Sequence, residues 1–206
     1  MTTPTHWKQA SQELAQRDSV LRRLIKIHRG LVMRSRGDAF MTLARSIVGQ
    51  QISLKAAETV WEKLVSTVPA ISAQHITGVE NAALRNCGLS SKKVSCLQDL
   101  AHRLINGSLN VANWERLSDE ELVADLIQVK GIGRWTADMF LIFYMMRPDV
   151  LPLDDIGLQR AMSMHYNKNR PLSKLKMRAI AKDWVPWRSV ATWYLWRSLD
   201  PIPVEY

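Results

Sequence analysis

The stretch LIQVKGIGRWTA, Leu126 to Ala137, decides how the chain folds. Apolar residues at helical spacing stop near Val129, two glycines bracket Ile132, and a second series runs through Trp135, Ala137, Phe140, Leu141 and Tyr144. The string reads as two helices joined by a very short turn. Glycine in such a turn tolerates positive φ and admits another backbone at close range, and the first amides of the second helix point outward, where they can receive an anion. A phosphate is the obvious anion, although an ordinary helical corner would use the same residues.

Outward from this turn the apolar pattern stays helical, and no stretch of period-two alternation is bounded by hairpin turns, so the fold class is all-α. Ser118 and Glu121 have capping-box spacing and start the first helix of the pair, and Pro148 ends the second near Arg147. Upstream, a helical region runs to about Arg29 with Leu21, Leu24, Ile25 and Ile27 as its stripe, and a basic loop, Arg34 to Arg36, ends at Gly37. Asp38 caps a helix to about Gln50, Ser53 caps the next, a short helix runs from Asn81 toward Gly88, and Ser90 begins another. Downstream, helices are expected at about Ile156 to Tyr166, Lys174 to Asp183 and Trp187 to Ser198. No linker or repeat divides the chain. It reads as a single unit, 1–206, of two helical lobes flanking a cleft: a central lobe of roughly 37–150, and a second lobe of 1–36 plus 151–206.

The 206 residues include 28 Lys+Arg against 19 Asp+Glu, a net charge of +9, on an otherwise ordinary composition with 47% hydrophobic residues. The charge suggests a polyanionic partner, though a solvated basic surface would give the same excess. The longest apolar run, Met139 to Met146, is too short for a bilayer, and the first residues lack the apolar core of a secretory signal. A cytoplasmic, nucleoid-associated or nuclear protein without membrane partners is expected. Cys87 and Cys96 alone cannot hold an iron–sulfur cluster and read as partly buried thiols. The five histidines show no zinc-site spacing, so no zinc is expected.

About twenty residues past the glycine turn comes LPLDDIGLQR, Leu151 to Arg160, with adjacent carboxylates at a helix start. Capping that helix is the plain role for one of them, and it is expected of Asp154. The string V-x-G-I-G-x-x-T-A resembles the helix-hairpin-helix signature. With the proline-containing loop and aspartate that follow, the chain resembles the helix-hairpin-helix-Gly/Pro-Asp superfamily of DNA glycosylases, in its 3-methyladenine DNA glycosylase II (alkylpurine) branch. Three further stretches match that branch: Ser46 to Ser53 (SIVGQQIS), Cys87 to Lys93 (CGLSSKK) and Trp184 to Arg197 (WVPWRSVATWYLWR). In order and spacing the matches cover Phe40 to Arg197.

The resemblance implies a base excision repair enzyme that flips an alkylated purine such as 3-methyladenine from damaged double-stranded DNA and hydrolyses its glycosidic bond. It implies Asp155 as the catalytic carboxylate, and Trp196, with Trp135 beside the hairpin, as the base pocket. Gln50 and Gln51 form the turn that fills the vacated stack, Gln51 being the wedge. Lys93, Lys130, Gly131, Gly133, Arg134 and Thr136 are the other candidate DNA contacts. The main-chain carbonyls of Ile127, Val129 and Gly131 would hold a monovalent cation, and no other cofactor is expected. Trp184, Trp187 and Trp193 read as core. Bifunctional relatives carry a Schiff-base lysine where this chain has Trp135, so no β-lyase activity is expected; a monomer is the default. Two alternatives stay open: a helix-hairpin-helix protein that binds damage without cutting, and a glycosylase for other damaged or deaminated bases.

Overall fold

The structure, a computed structural model, describes residues 3–35 and 38–199. Arg36 and Gly37, which end the expected basic loop, lie outside the described residues. In chain order the helices are α1 (Trp7–Arg17), α2 (Ser19–Ile27), α3 (Ala39–Gly49), α4 (Leu54–Thr67), α5 (Ala73–Gly78), α6 (Asn81–Asn86), α7 (Ser91–Ile105), α8 (Asp119–Leu126), α9 (Arg134–Phe143), α10 (Ile156–Tyr166), α11 (Lys174–Ile180) and α12 (Arg188–Arg197). Two 3₁₀ turns, Val111–Arg116 and Ala181–Trp184, complete the set, and no strand occurs among the described residues. The chain is all-α, and no described helix is long and apolar enough to cross a membrane.

Most helix starts follow from single side chains. Asp38, Ser53, Ser90 and Ser173 each accept an amide from the first turn of the helix they precede, and Ser118 with Glu121 closes a full capping box. Each such cap stabilises its helix by about 1 kcal/mol. The N-terminal helical region is broken at Asp18, whose carboxylate accepts the Val20 and Leu21 amides and so starts α2. Ile27, expected in the apolar stripe, is 65% exposed, because the stripe of α2 turns Leu21 and Leu24 inward instead.

The contacts divide the chain into two compact units. One holds the segment ending at Phe140, with α7 as its central element: Val94, Leu97, Leu100 and Ala101 are buried as α7 packs on α3, α5 and α6. The other joins residues 3–35 to residues 141–199. Its centre is α12, buried from Ser189 to Leu195 without a polar face, which packs on α1, α2 and α10.

The division falls within α9, ten residues before the expected lobe boundary at 150. Residues after Phe140 belong with α12 because their backbone is fastened there. The Ser189 amide donates to the Pro148 carbonyl at 3.0 Å, the Val150 amide donates to Ser189 Oγ at 2.9 Å, and Arg188 forks onto Asp149. The helix α9 also stops at Phe143 rather than Arg147. The Arg147 amide returns to the Leu141 carbonyl at 2.9 Å, and Met146 just before it sits in the left-handed region at φ 53°, which turns the chain out of the helix.

Candidate active site and nucleic-acid interface

Helix α10 starts from the Pro152 loop, where the Asp155 amide donates to the Pro152 carbonyl at 3.0 Å. Asp155 itself is the N-cap: its Oδ1 accepts the Leu158 amide at 2.6 Å. This corrects the expectation for the carboxylate pair, since Asp154 is exposed and pairs with Lys174 while Asp155 is only 8% exposed. The same Oδ1 accepts the indole N–H of Trp196 at 2.7 Å. Two donors on one oxygen fix the direction of the carboxylate, and the N-terminus of α10 favours its negative charge.

Trp196 is half-buried on α12 and stacks on Phe143, ring centroids 5.6 Å apart and planes 15° from parallel. Its approach to Asp155 depends on Gly157. A Cβ at that position would lie 3.0 Å from Asp155 Oδ1 and 3.1 Å from Trp196 Cδ1. Sequence reasoning placed Trp196 near the site but missed both its hydrogen bond and Gly157, a glycine inside a helix with no local signal to mark it. Trp184, Trp187 and Trp193 are buried, as expected of core residues.

In the other unit, α8 and α9 flank the hairpin. Gly131 adopts φ 79°, and a Cβ on it would run into Cys96 Sγ, so both conformation and space demand glycine. Gly133 is exposed and a Cβ there would meet nothing within 4 Å, so the fold itself does not require a glycine. The Lys130 amide donates to Asp99 Oδ2 at 2.9 Å, which fastens the hairpin backbone to α7. Asp99 was absent from the sequence reading, because nothing local marks a helix carboxylate that acts 31 residues away. Val129 O accepts the Ile132 amide at 3.1 Å and Gly131 O accepts Gln50 Nε2 at 2.9 Å. A carbonyl oxygen has two lone pairs, so Val129 O and Gly131 O can each accept one donor more than these. No group of three or more His, Cys, Asp or Glu side chains able to hold a metal occurs among the described residues.

The expected DNA contacts divide into two groups. Gln51, Lys130, Gly131 and Gly133 are exposed. Gln51 occupies the left-handed region at φ 59°, a conformation that costs an L-residue about 1 kcal/mol and is held at the tip between α3 and α4. Gln50 instead binds the protein, its amide donating to Gly131 O and, at 3.3 Å, to Thr136 Oγ1. Thr136 is 3% exposed, so it is corrected from a DNA contact to a buried anchor for Gln50. Lys93 is likewise turned inward: its ammonium donates to the Val48 carbonyl at 2.7 Å near the end of α3, and burial lowers its pKa. Arg134 pairs with Glu120 and Asp138. Trp135 is half-buried on the first turn of α9.

The family profile described as HhH-GPD superfamily base excision DNA repair protein matches residues 44–187. DNA-3-methyladenine glycosylase 1 of Schizosaccharomyces pombe is 30% identical over 201 residues, which cover 94% of this chain and 88% of that protein. Among solved structures, the Schizosaccharomyces pombe 3-methyladenine DNA glycosylase (Mag1) in complex with abasic DNA superposes with a TM-score of 0.81 at 30% identity, covering 92% of this chain and 96% of that one. DNA-3-methyladenine glycosidase from Bacillus halodurans gives 0.85 at 29% identity, covering 97% and 93%. With its hairpin, its Pro152–Asp155 loop and similarity along nearly the whole chain, the protein belongs to the HhH-GPD superfamily of base excision DNA repair proteins.

Proposed function

We propose that the chain is a monofunctional DNA glycosylase of the 3-methyladenine DNA glycosylase II type, acting as a monomer on alkylated purines in duplex DNA. The observation that carries this is Asp155, a buried carboxylate whose Oδ1 is held by the Leu158 amide and the Trp196 indole. Its place after the hairpin and proline loop is that of the family's catalytic aspartate. Schizosaccharomyces pombe Mag1 is described in complex with abasic DNA, and DNA is the partner we assign here.

A base must leave the helical stack before it can be excised. Gln51, exposed and held at positive φ, fills the gap, while the exposed amides around Gly131 and Gly133 receive the backbone phosphates. The absence of a side chain at Gly133 leaves its space to the DNA. The carbonyls of Ile127, Val129 and Gly131 would hold a monovalent cation, which when bound supplies positive charge beside a phosphate.

An N3- or N7-alkylated purine is already cationic. The bond from C1′ to the base breaks with its electron pair going to the ring, which leaves neutral, and water supplies the hydroxyl that replaces it on C1′ while its other proton passes to solvent. Asp155 stabilises the positive charge that develops on the sugar or orients that water. Trp196, beside Asp155, offers an electron-rich face to the cationic ring, about 0.5–2 kcal/mol for such a contact. Trp135 stands where a bifunctional relative has its lysine, so no Schiff base forms. The test is incubation with methylated duplex DNA: released 3-methyladenine is expected by chromatography, and borohydride should trap no covalent adduct. A trapped adduct refutes the monofunctional assignment.

A further inference from the structure

We infer that Arg134 serves DNA binding as a positioning residue, a brace between the two helices of the hairpin, and does not itself hold a phosphate. The inference rests on the DNA-binding reading above. Arg134 is the first residue of α9, next to the exposed hairpin amides, where a basic side chain would ordinarily be assigned to the DNA backbone. Its guanidinium goes elsewhere. Both terminal nitrogens donate to Glu120, NH1 to Oε2 and NH2 to Oε1, each at 2.8 Å, and Nε donates to Asp138 Oδ1 at 2.8 Å.

The positions of these partners give the direction. Asp138 lies one turn further along α9, and Glu120 lies in the first turn of α8, at the end of that helix remote from the hairpin. The side chain is therefore drawn away from the hairpin amides and ties the start of α8 to the second turn of α9. Asp138 is only 4% exposed, so its carboxylate needs a fixed positive partner, whereas Glu120 is 73% exposed and contributes mainly through the geometry of its fork. The two carboxylates raise the Arg134 pKa, and hydrogen bonding to Arg134 lowers that of Glu120. With Nε and both terminal nitrogens donating to carboxylates, the guanidinium is poorly placed to take a phosphate as well. What it controls is the splay of α8 and α9, and through it the direction of the amides at Gly131 and Gly133.

Charge-conserving variants separate a brace from a phosphate ligand. Arg134→Lys keeps the charge but cannot form the fork, and Glu120→Asp keeps the charge but is one methylene short. Binding of a duplex carrying a tetrahydrofuran abasic-site analogue would be titrated over a range of salt concentrations for wild type, Arg134→Lys, Arg134→Gln, Glu120→Asp and the Arg134→Lys/Glu120→Asp double variant. Lys130→Gln would mark the loss of one phosphate contact, a decrease of about 0.9 in the salt slope. The expected result is that each single variant weakens binding by about fivefold with the wild-type slope, and that the double variant is no weaker than either. Three outcomes would overturn the inference: Arg134→Lys binding as wild type does, Glu120→Asp binding more tightly, or Arg134→Gln lowering the slope as Lys130→Gln does. A lower melting temperature without loss of affinity would also overturn it, leaving Arg134 a role in stability alone. If wild type itself fails to bind the duplex, it is the DNA-binding assignment that falls.

Discussion

Trp196 donates its indole N–H to Oδ1 of Asp155 at 2.7 Å, the same oxygen that receives the Leu158 amide at 2.6 Å. The contact joins the last turn of α12 to the first of α10, and it gives Trp196 a polar partner besides its stacking on Phe143. A carboxylate held by one helix amide can rotate about its bond to Cβ; one held by two donors from different helices cannot do so without losing a charge-assisted hydrogen bond.

Trp196→Phe keeps an aromatic face for Phe143 and removes only the donor. Single-turnover excision from methylated duplex should fall by about tenfold to a hundredfold, the worth of one hydrogen bond to a charged group, while affinity for abasic DNA stays near wild type. Equal losses in rate and affinity would show that Trp196 acts only as part of the binding surface.

Gly157→Ala places a methyl 3.0 Å from Asp155 Oδ1 and 3.1 Å from Trp196 Cδ1. Overpacking of this kind costs about 1–3 kcal/mol. The variant should unfold at lower denaturant concentration and lose most of its excision rate, because the displaced atoms are those of the Asp155–Trp196 pair. Retention of full activity would mean that this close approach is not needed for catalysis.

Gln51 separates conformation from function. Gln51→Gly should raise stability by up to about 1 kcal/mol, since glycine accepts φ 59° freely. It should nonetheless lose excision from duplex DNA, as should Gln51→Ala, with both variants keeping activity on single-stranded substrate, where no stack needs filling. Undiminished duplex activity in both would remove Gln51 as the wedge.

Acid should loosen the hairpin through Asp99. Burial pushes this carboxyl up, but the Lys130 amide and the Arg103 guanidinium outweigh it and hold the group below its ordinary value. Because the folded-state value is the lower one, the stabilisation is complete above the ordinary carboxylate range near about pH 4 and is lost as pH falls through the folded value. At neutral pH, Asp99→Asn should cost about 1–3 kcal/mol in urea unfolding. The gap to wild type should close as the solution is acidified below about pH 4. A gap that stayed constant on acidification would assign the cost to packing.

How much of this was legible in the sequence depended on how local each cause was. The caps at Asp38, Ser53, Ser90 and Ser118, and the whole span of α10, follow from residues within one turn of one another, and the sequence suffices for these. The choice between Asp154 and Asp155 as cap was not legible, because two adjacent aspartates have the same capping chemistry and only the backbone angles at Asp155 select it. The fates of Gln50, Lys93 and Thr136 were also hidden. Their partners lie 81, 45 and 86 residues away, and a long polar side chain near a DNA-binding motif gives no sign of whether it ends on the solvent or on its own fold.

The most direct test compares wild type with Asp155→Asn on methylated duplex DNA, assaying released bases and, in parallel, binding to duplex with an abasic-site analogue. Asparagine is nearly isosteric and can still accept from Leu158 and Trp196, so the fold and the DNA surface should persist. Wild type should release 3-methyladenine, and Asp155→Asn should bind comparably while excising about 10²–10⁴ times more slowly. Wild-type excision by Asp155→Asn would contradict Asp155 as the catalytic carboxylate. Tight binding by both proteins with release by neither would contradict the glycosylase assignment itself.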